Sequence, residues 1–546
     1  MMTNAEFSSL PGFSKLFKDF FKKDSFIWQR FPANHAPEET FKKRLETFKN
    51  RSAMQEIFAV SMEKVNISPE QQKNLELLKK ENSLVVITGQ QVGLFGGALY
   101  TFFKAQSAIA QAKNFSEEYQ EFNFIPVFWV EDNDHDRAEA EHTAVLTKDF
   151  EISLLKAPGD LHEKPNARIG EIHLTDEIIP FLENLAGELP QSPYSADTAA
   201  LLKEIYTPGK LWSDAYTELL HHFFKNTGLL FVKGSEVRKS GLSREIILKE
   251  LTNPGASKSV AENAGAELLK AGYHVQAEPS DVHLFLHDGV QRFKINVSDN
   301  GGFLVNVEKF LKEELLKTAE NSPEYFSPNV LLRPIVQDVV FPTAAYIAGP
   351  GELAYAAELS EMYGYFGVAM PMFVPRHSAT FVDFKAEKFL LKENMSVHDL
   401  LKSWQEVERD FTKKISDKEI NELFTKNENA VKEFFKNLRE RAIAIDKTLG
   451  GAVEASETIT QKQFLKLLKK IHAGQKRRES ELFKKYRETW SMVYPGGLQE
   501  RIFSIVHFLS EYGEDGLRAA LKKFNDSNPD AHYFLPLEEF MPAERG

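Results

Sequence analysis

A chain of 546 residues with 44 Phe is too long for one hydrophobic core and has material for a large one, so roughly two to four domains or subdomains are expected. A formal net charge of −12 argues against bulk binding to nucleic acid or to an anionic membrane surface. Cys is absent, which excludes disulfides, thiolate metal sites and a cysteine nucleophile, and no run approaches the roughly 18 apolar residues of a membrane span.

The first residues lack the uninterrupted apolar core of a signal peptide, so cytoplasm is the expected location. Phe13, Leu16, Phe17, Phe20 and Phe21 fall on one face of a short helix, a docking face rather than a membrane anchor, since Asp19 interrupts its basic stretch. Residues 37–60 and 69–80 read as charged helices leading into a β-branched apolar run at 84–87, long enough for a strand buried on both faces. The text then becomes TGQQVGLFGG, with Gly89, Gly93, Gly96 and Gly97 close together, and from Ala98 onward Leu99, Phe102, Phe103 and Ile109 recur at helical spacing. Strand, glycine loop, helix is the order of an anion cradle in a doubly wound α/β domain, where backbone N–H groups approach a ligand without side chains in the way. Gln90, Gln91, Gly93, Gly96 and Tyr100 are the substrate-facing residues this places. The loop matches neither the dinucleotide fingerprint nor the Walker loop, and the alternative is a turn serving only close strand-to-helix packing.

A second strand over residues 123–130, NFIPVFWV, delivers Glu131, Asp132, Asn133, Asp134, His135 and Asp136 at its carboxyl end. In an open α/β sheet the ligand crevice lies outside those ends. A helix beginning near Asp134 would put His135, Glu139 and His142 on one face, a spacing able to hold a metal or a hydroxylated substrate. Three readings stand here: helix capping by Asp132 or Asp134, a metal site, and substrate or general acid–base work by Asp134, His135 and Asp136.

Residues 144–226 look like an insertion, residues 229–232 like the next core strand and residues 243–271 like helix. Residues 272–276, 282–286, 293–297 and 302–305 alternate in the strand manner within a second insertion over about 272–330, and neither insertion carries a catalytic motif. Arg333 and Gln337 stand beside an apolar segment, and AAYIAGPGELAY again runs strand, turn, helix. Gly349, Gly351 and Glu352 mark a second anion-friendly helix start, and Arg376 with His377 closes the unit at a strand end, where a guanidinium can grip a carboxylate or form a structural ion pair.

Beyond residue 383 the text is long, charged and poor in glycine. Val431, Phe435, Leu438, Ala442, Ile445 and Leu449 step by four and three, Gly450 and Gly451 turn the chain, and Phe464, Leu468 and Ile471 resume the seam of an antiparallel helical hairpin. A turn at 494–497, a helix over 498–509 and a patternless end over 529–546 complete the chain.

The ordered motifs TGQQVGLFGGALYTFFK, PVFWVEDNDHD with His142, LRPIVQDVVFPTAAYIAGPGELAYAAEL, MPMFVPRHS and YPGGLQER resemble, from end to end, the cysteine-adding enzyme family of bacillithiol biosynthesis. The resemblance implies a Rossmann-like core over 1–383 carrying the two insertions, a coiled-coil arm over 384–490 through which the family dimerises, and a segment over 491–546 packing back on core and arm. It implies a ligase that joins L-cysteine to the amino group of glucosaminyl malate, and an adenine nucleotide, ATP or ADP, with Arg501 as phosphate ligand by the match of LQER and Tyr494 beside it. Neither an HxGH nor a KMSKS motif of class I synthetases is present. A nucleotidyltransferase-like enzyme acting on another amine or acid, or a nucleotide-regulated dimeric scaffold, is the alternative. Amide formation asks for a base at the amine and positive or N–H groups over the developing oxyanion. Asp134, His135 and Asp136 are the candidates for the first, and Gln90, Gln91, Gly349, Gly351 and Arg376 for the carboxylates.

Overall fold

The computed structural model describes residues 3–158, 166–299, 301–416 and 418–540. It divides into two compact units: Met1–Phe384 with Leu498–Gly546, and Lys385–Gly497.

The first unit is built on five parallel strands, β1 (Ser83–Gln91), β2 (Asn123–Glu131), β3 (Leu230–Lys233), β4 (Thr343–Ala348) and β5 (Met372–Pro375). Their order across the sheet is β3-β2-β1-β4-β5, with Ile87 opposite Val127 on one side and opposite Tyr346 on the other. Leu84, Val85, Val86 and Ile87 are wholly buried, as a strand covered on both faces requires. Helix α1 (Tyr100–Glu118) follows β1, α2 (Arg333–Val340) precedes β4, and α3 (Pro350–Phe366) joins β4 to β5. On one face of the sheet Phe41 packs its ring against Phe115, Phe122 and Phe124 over Leu84, Val86 and Ile347. Burying each such ring contributes about 2–3 kcal/mol.

Several local expectations are corrected. Residues 272–276 form no strand, while the later alternating segments join a five-stranded antiparallel sheet containing Leu284–Asp288, Gln291–Val297 and Phe303–Val305. The patternless end contains Ala531–Pro536, which lies between Thr3–Glu6, antiparallel to it, and Ser378–Val382, parallel to it. The helix expected over 498–509 is two: Gln499–Ile502, then Ile505–Lys522 after Ser504 caps the second through its side chain.

In the second unit α4 (Lys418–Ile445) and α5 (Leu449–Arg478) form an antiparallel hairpin, with Phe424 against Phe464, and Arg439 paired with Glu454 nearer the turn. Phe435 and Ala442 are buried, yet Leu438, Ile445 and Leu449 of the expected seam are exposed, Ile445 by 82%. Two helices cover only one stripe of each other. Among the described residues no helix is long and apolar enough to cross a membrane.

Candidate active site

The order β3-β2-β1-β4-β5 reverses direction between β1 and β4, so the loops leaving their carboxyl ends diverge and open a crevice. A cavity of about 910 Å³ lies there, lined by Gly89, Gln90 and Gln91 at the end of β1 and by Gly349, Gly351 and Glu352 at the start of α3. Gly89 is needed for close approach: a Cβ on it would stand 3.1 Å from the Trp129 carbonyl oxygen on the neighbouring strand.

The floor is made by Lys104, the lone charge in the first three turns of α1. Its ammonium donates to the Gly89 carbonyl at 2.9 Å and to Gln90 Oε1 at 3.0 Å, and pairs with Glu352 Oε2 at 2.6 Å. Burial lowers the Lys104 pKa and Glu352 opposes it. Glu352 also accepts from the Gly349 N–H and from the Tyr346 hydroxyl. Burial alone would raise its pKa, but Lys104 and these donors hold it below the ordinary carboxylate value. Tyr100 lines the same cavity, receives a bond from Gln90 Nε2, and is pushed up to about 12 by burial, so it is a neutral phenol.

Arg376, at the end of β5, is only 3% exposed. Its Nη2 donates to Glu500 at 2.6 Å and its Nη1 to the His377 carbonyl, while Nε has no hydrogen-bond partner. A Cβ on Gly349 would stand 3.8 Å from that Nε. The same point lies 3.1 Å from Glu352 Oε2, so the start of this 17-residue helix is already capped by its own carboxylate, and Arg376 Nε is the donor left over beside it. The LQER motif supplies the support. Gln499 bonds both backbone groups of Phe381, Glu500 holds Arg376, Ser378 and the Ala379 N–H, and Arg501 lines the crevice while donating to the Gly12 carbonyl. Tyr494 lies in the second unit, just after helix Ser480–Val493.

A second cavity of about 700 Å³ shares Glu131, Asp134, Val330 and Arg333 with the first and adds His135, Asp136 and Arg292. The long helix expected near Asp134 is a single turn, Arg137–Ala140, capped by Asp136, and His142 begins a strand, so His135, Glu139 and His142 do not share a helical face. Backbone N–H groups of His135 and Asp136 fold back onto Asp134 Oδ1, which explains why the chain turns there instead of continuing as helix. Among the described residues no three His, Asp or Glu side chains converge as a metal site.

Arg292, from an insertion that showed no motif, donates through Nη2 to Asp134 and through Nε to His135 Nδ1 at 2.8 Å. With its Nδ1 lone pair engaged, the neutral imidazole carries hydrogen on Nε2. Burial, then Arg292, lowers the His135 pKa. In this tautomer the ring nitrogen not held by Arg292 is a donor. All three hydrogen bonds to the Asp134 carboxylate fall on Oδ1. Asp136 is exposed, and its carbonyl accepts from Gln91.

The middle of the glycine loop packs into the core, while Gly89, Gly93 and Gly97 line cavities. Leu94 and Phe95 are wholly buried, and Gly96, at φ 83°, lines none of these cavities because a Cβ on it would meet the Phe102 ring at 2.8 Å. Gly93 and His142 line a third cavity of about 340 Å³ that also touches Gln90, Tyr100 and Arg501. Lys104, Arg292 and Glu500 were not among the expected site residues. Only Lys104 had a visible signal, a lone cation amid apolar helix.

With this geometry in view, comparison with known proteins is decisive. Residues 2–377 match the family model "Bacillithiol biosynthesis BshC, N-terminal Rossmann-like domain", and residues 379–536 match "Bacillithiol biosynthesis BshC, C-terminal coiled-coil domain". The chain belongs to the BshC family. Relatives named "Putative cysteine ligase BshC" include one from Salinibacter ruber, 30% identical over 92% of each chain. Another from Chlorobaculum tepidum is 29% identical over 96% of this chain and 97% of its own, and one from Staphylococcus aureus is 30% identical over 90% and 92%. The Rossmann-like description and the strand order agree.

Proposed function

We propose that this BshC protein is a ligase that joins the carboxyl of L-cysteine to the amino group of glucosaminyl malate. The observation that carries the reading is the meeting, in contiguous cavities, of an anion-receiving wall and an acidic wall. The first is Arg376 Nε, a buried donor with no partner, and the second consists of Asp134 and Glu131. An amine attacks a carboxyl carbon only as the free base, so the C–N bond forms as one N–H proton passes to Asp134 Oδ2, and the carboxyl C–O bond breaks with its oxygen departing on the phosphate of the activating nucleotide. The developing oxyanion suits the unpartnered N–H at Arg376 Nε, a preformed donor that costs no reorganisation. His135 Nε2–H suits a sugar hydroxyl. An adenine nucleotide, which would make the departing oxygen a good leaving group, belongs to the same reading, with Arg501 as its phosphate ligand.

The assembly we infer is a homodimer through the hairpin of α4 and α5. Phe434, Leu438, Ile445, Leu465 and Leu467 are exposed on these two helices, and covering them with a second copy removes apolar surface from water. The test of the reaction is incubation of the purified protein with cysteine, glucosaminyl malate and ATP, followed by mass spectrometry. The amide product is expected, and nucleotide turnover without it would count against the proposal.

A further inference from the structure

The cations around the crevice differ in one respect. Lys104 is paired with Glu352, Arg376 with Glu500 and Arg292 with Asp134. Arg333 makes no ion pair among the described residues. Its Nη1 donates to Gln337 Oε1 at 3.3 Å and its Nη2 to the Tyr346 hydroxyl at 3.2 Å, both neutral groups. Its guanidinium lies 5.8 Å from the Trp129 ring centre and 5.6 Å from that of Tyr346. Glu131 and Glu352 act on it only at longer range, and both are committed elsewhere: Glu131 accepts from Trp129 Nε1 and the Asn133 N–H, Glu352 from Lys104 and Tyr346. Because these hydrogen-bond partners are neutral, a carboxylate that arrives with the ligand would make a charge-assisted bond that the guanidinium does not make within the protein.

Arg333 also stands where that anion must pass. It lines both the 910 Å³ and the 700 Å³ cavities, and the two meet along Glu131, Asp134, Val330 and Arg333. A molecule whose amine is received at Asp134 and whose other end bears carboxylates reaches across this seam. We propose that Arg333 is the specificity-determining residue for the acceptor, gripping a carboxylate of its malate portion. The inference rests on the ligase reading above and names the feature of the acceptor that the protein selects. A planar guanidinium with five donors, only some of them used, takes a carboxylate in fork geometry, which a lysine cannot reproduce.

The experiment compares glucosaminyl malate with methyl glucosaminide, which has the same sugar amine and no carboxylate. Arg333→Ala should lower kcat/KM for glucosaminyl malate by about 10- to 100-fold, mainly through KM, and for methyl glucosaminide by less than about 3-fold. Arg333→Lys should fall between for the first acceptor. Equal losses with both acceptors, or a loss confined to the KM of cysteine or nucleotide, would overturn the proposal, as would a drop in melting temperature that accompanies equal losses. If the wild-type protein forms no amide, the ligase reading fails by itself. Calorimetric binding of glucosaminyl malate then decides the role of Arg333, which stands if Arg333→Ala weakens binding by the same factor and falls if it does not.

Discussion

Glu500 and Arg376 form a pair whose side chains are 0% and 3% exposed, so cutting it has a calculable effect. Glu500→Ala leaves a guanidinium buried without its counter-charge, at about 3–5 kcal/mol, and deprives Ser378 and the Ala379 N–H of their acceptor at about 1 kcal/mol each. The loss should be roughly 5–7 kcal/mol, which moves a urea midpoint by about 2 M at a slope near 3 kcal/mol/M. The same principle gives a control. Replacing both partners with apolar residues of similar volume, Arg376→Met with Glu500→Leu, should recover most of the stability and none of the activity, because the buried pair serves to aim Arg376 Nε and contributes little net stability. Burial alone raises the Glu500 carboxyl, but Arg376 and its other donors bring it below its ordinary value. A carboxylate depressed in the folded state stabilises above its unfolded pKa of about 4.3, and that contribution is lost as pH falls through the lower folded value. Glu500→Gln should therefore flatten the decline of stability below about pH 4. The measurement is urea unfolding of the wild type and each variant from pH 3 to 8, with ligation followed in parallel. A single Glu500→Ala variant as stable as the wild type, or a double variant no more stable than that single one, would refute the reasoning.

Three other outcomes are expected. His135→Ala should lower turnover by roughly 10- to 100-fold with little change in melting temperature, since it removes a hydrogen-bond donor from the cavity. Because its ionisation lies below the ordinary histidine range, His135 should add no limb to the pH–rate profile above about pH 6.5, and a limb that disappears in the variant would contradict the donor role. Arg501→Ala should weaken adenine nucleotide binding by about 1.5–3 kcal/mol in calorimetry, and an unchanged affinity would remove Arg501 from the phosphate site. Deleting residues 418–488 should convert a dimer to a monomer in light scattering, so an unchanged mass would exclude the hairpin as the dimer interface.

What the sequence makes legible follows from the range of its signals. The strands at 84–87 and 123–130 stand out because a strand buried on both faces must be apolar throughout, and the hairpin of α4 and α5 because its stripe repeats over many turns. Ala531–Pro536 was illegible for the opposite reason. It owes its conformation to Thr3–Glu6 and Ser378–Val382, partners more than a hundred residues away, and not to its own pattern. The glycine loop was read as a cradle because glycines permit both close packing and ligand approach. Only the position of Phe102 over Gly96 tells which use applies there.

The site shows the same limit more sharply, since charge compensation is a property of three-dimensional neighbours. Arg376 and Arg333 look alike along the chain, each beside an apolar segment. One is neutralised by Glu500, 124 residues away, and the other makes only neutral contacts. Buried pairs such as Arg376–Glu500 and Lys104–Glu352 cost roughly as much in desolvation as they return in attraction, so stability alone gives little reason to keep them. Their effect is geometric. Glu352 fixes Lys104, the Gly349 N–H and Tyr346 at once, and Glu500 fixes Arg376, Ser378 and the Ala379 backbone. The two carboxylates thereby set the floor and one wall of a crevice between β1 and β4, while Arg333 alone among Lys104, Arg292, Arg333 and Arg376 makes no direct ion pair among the described residues.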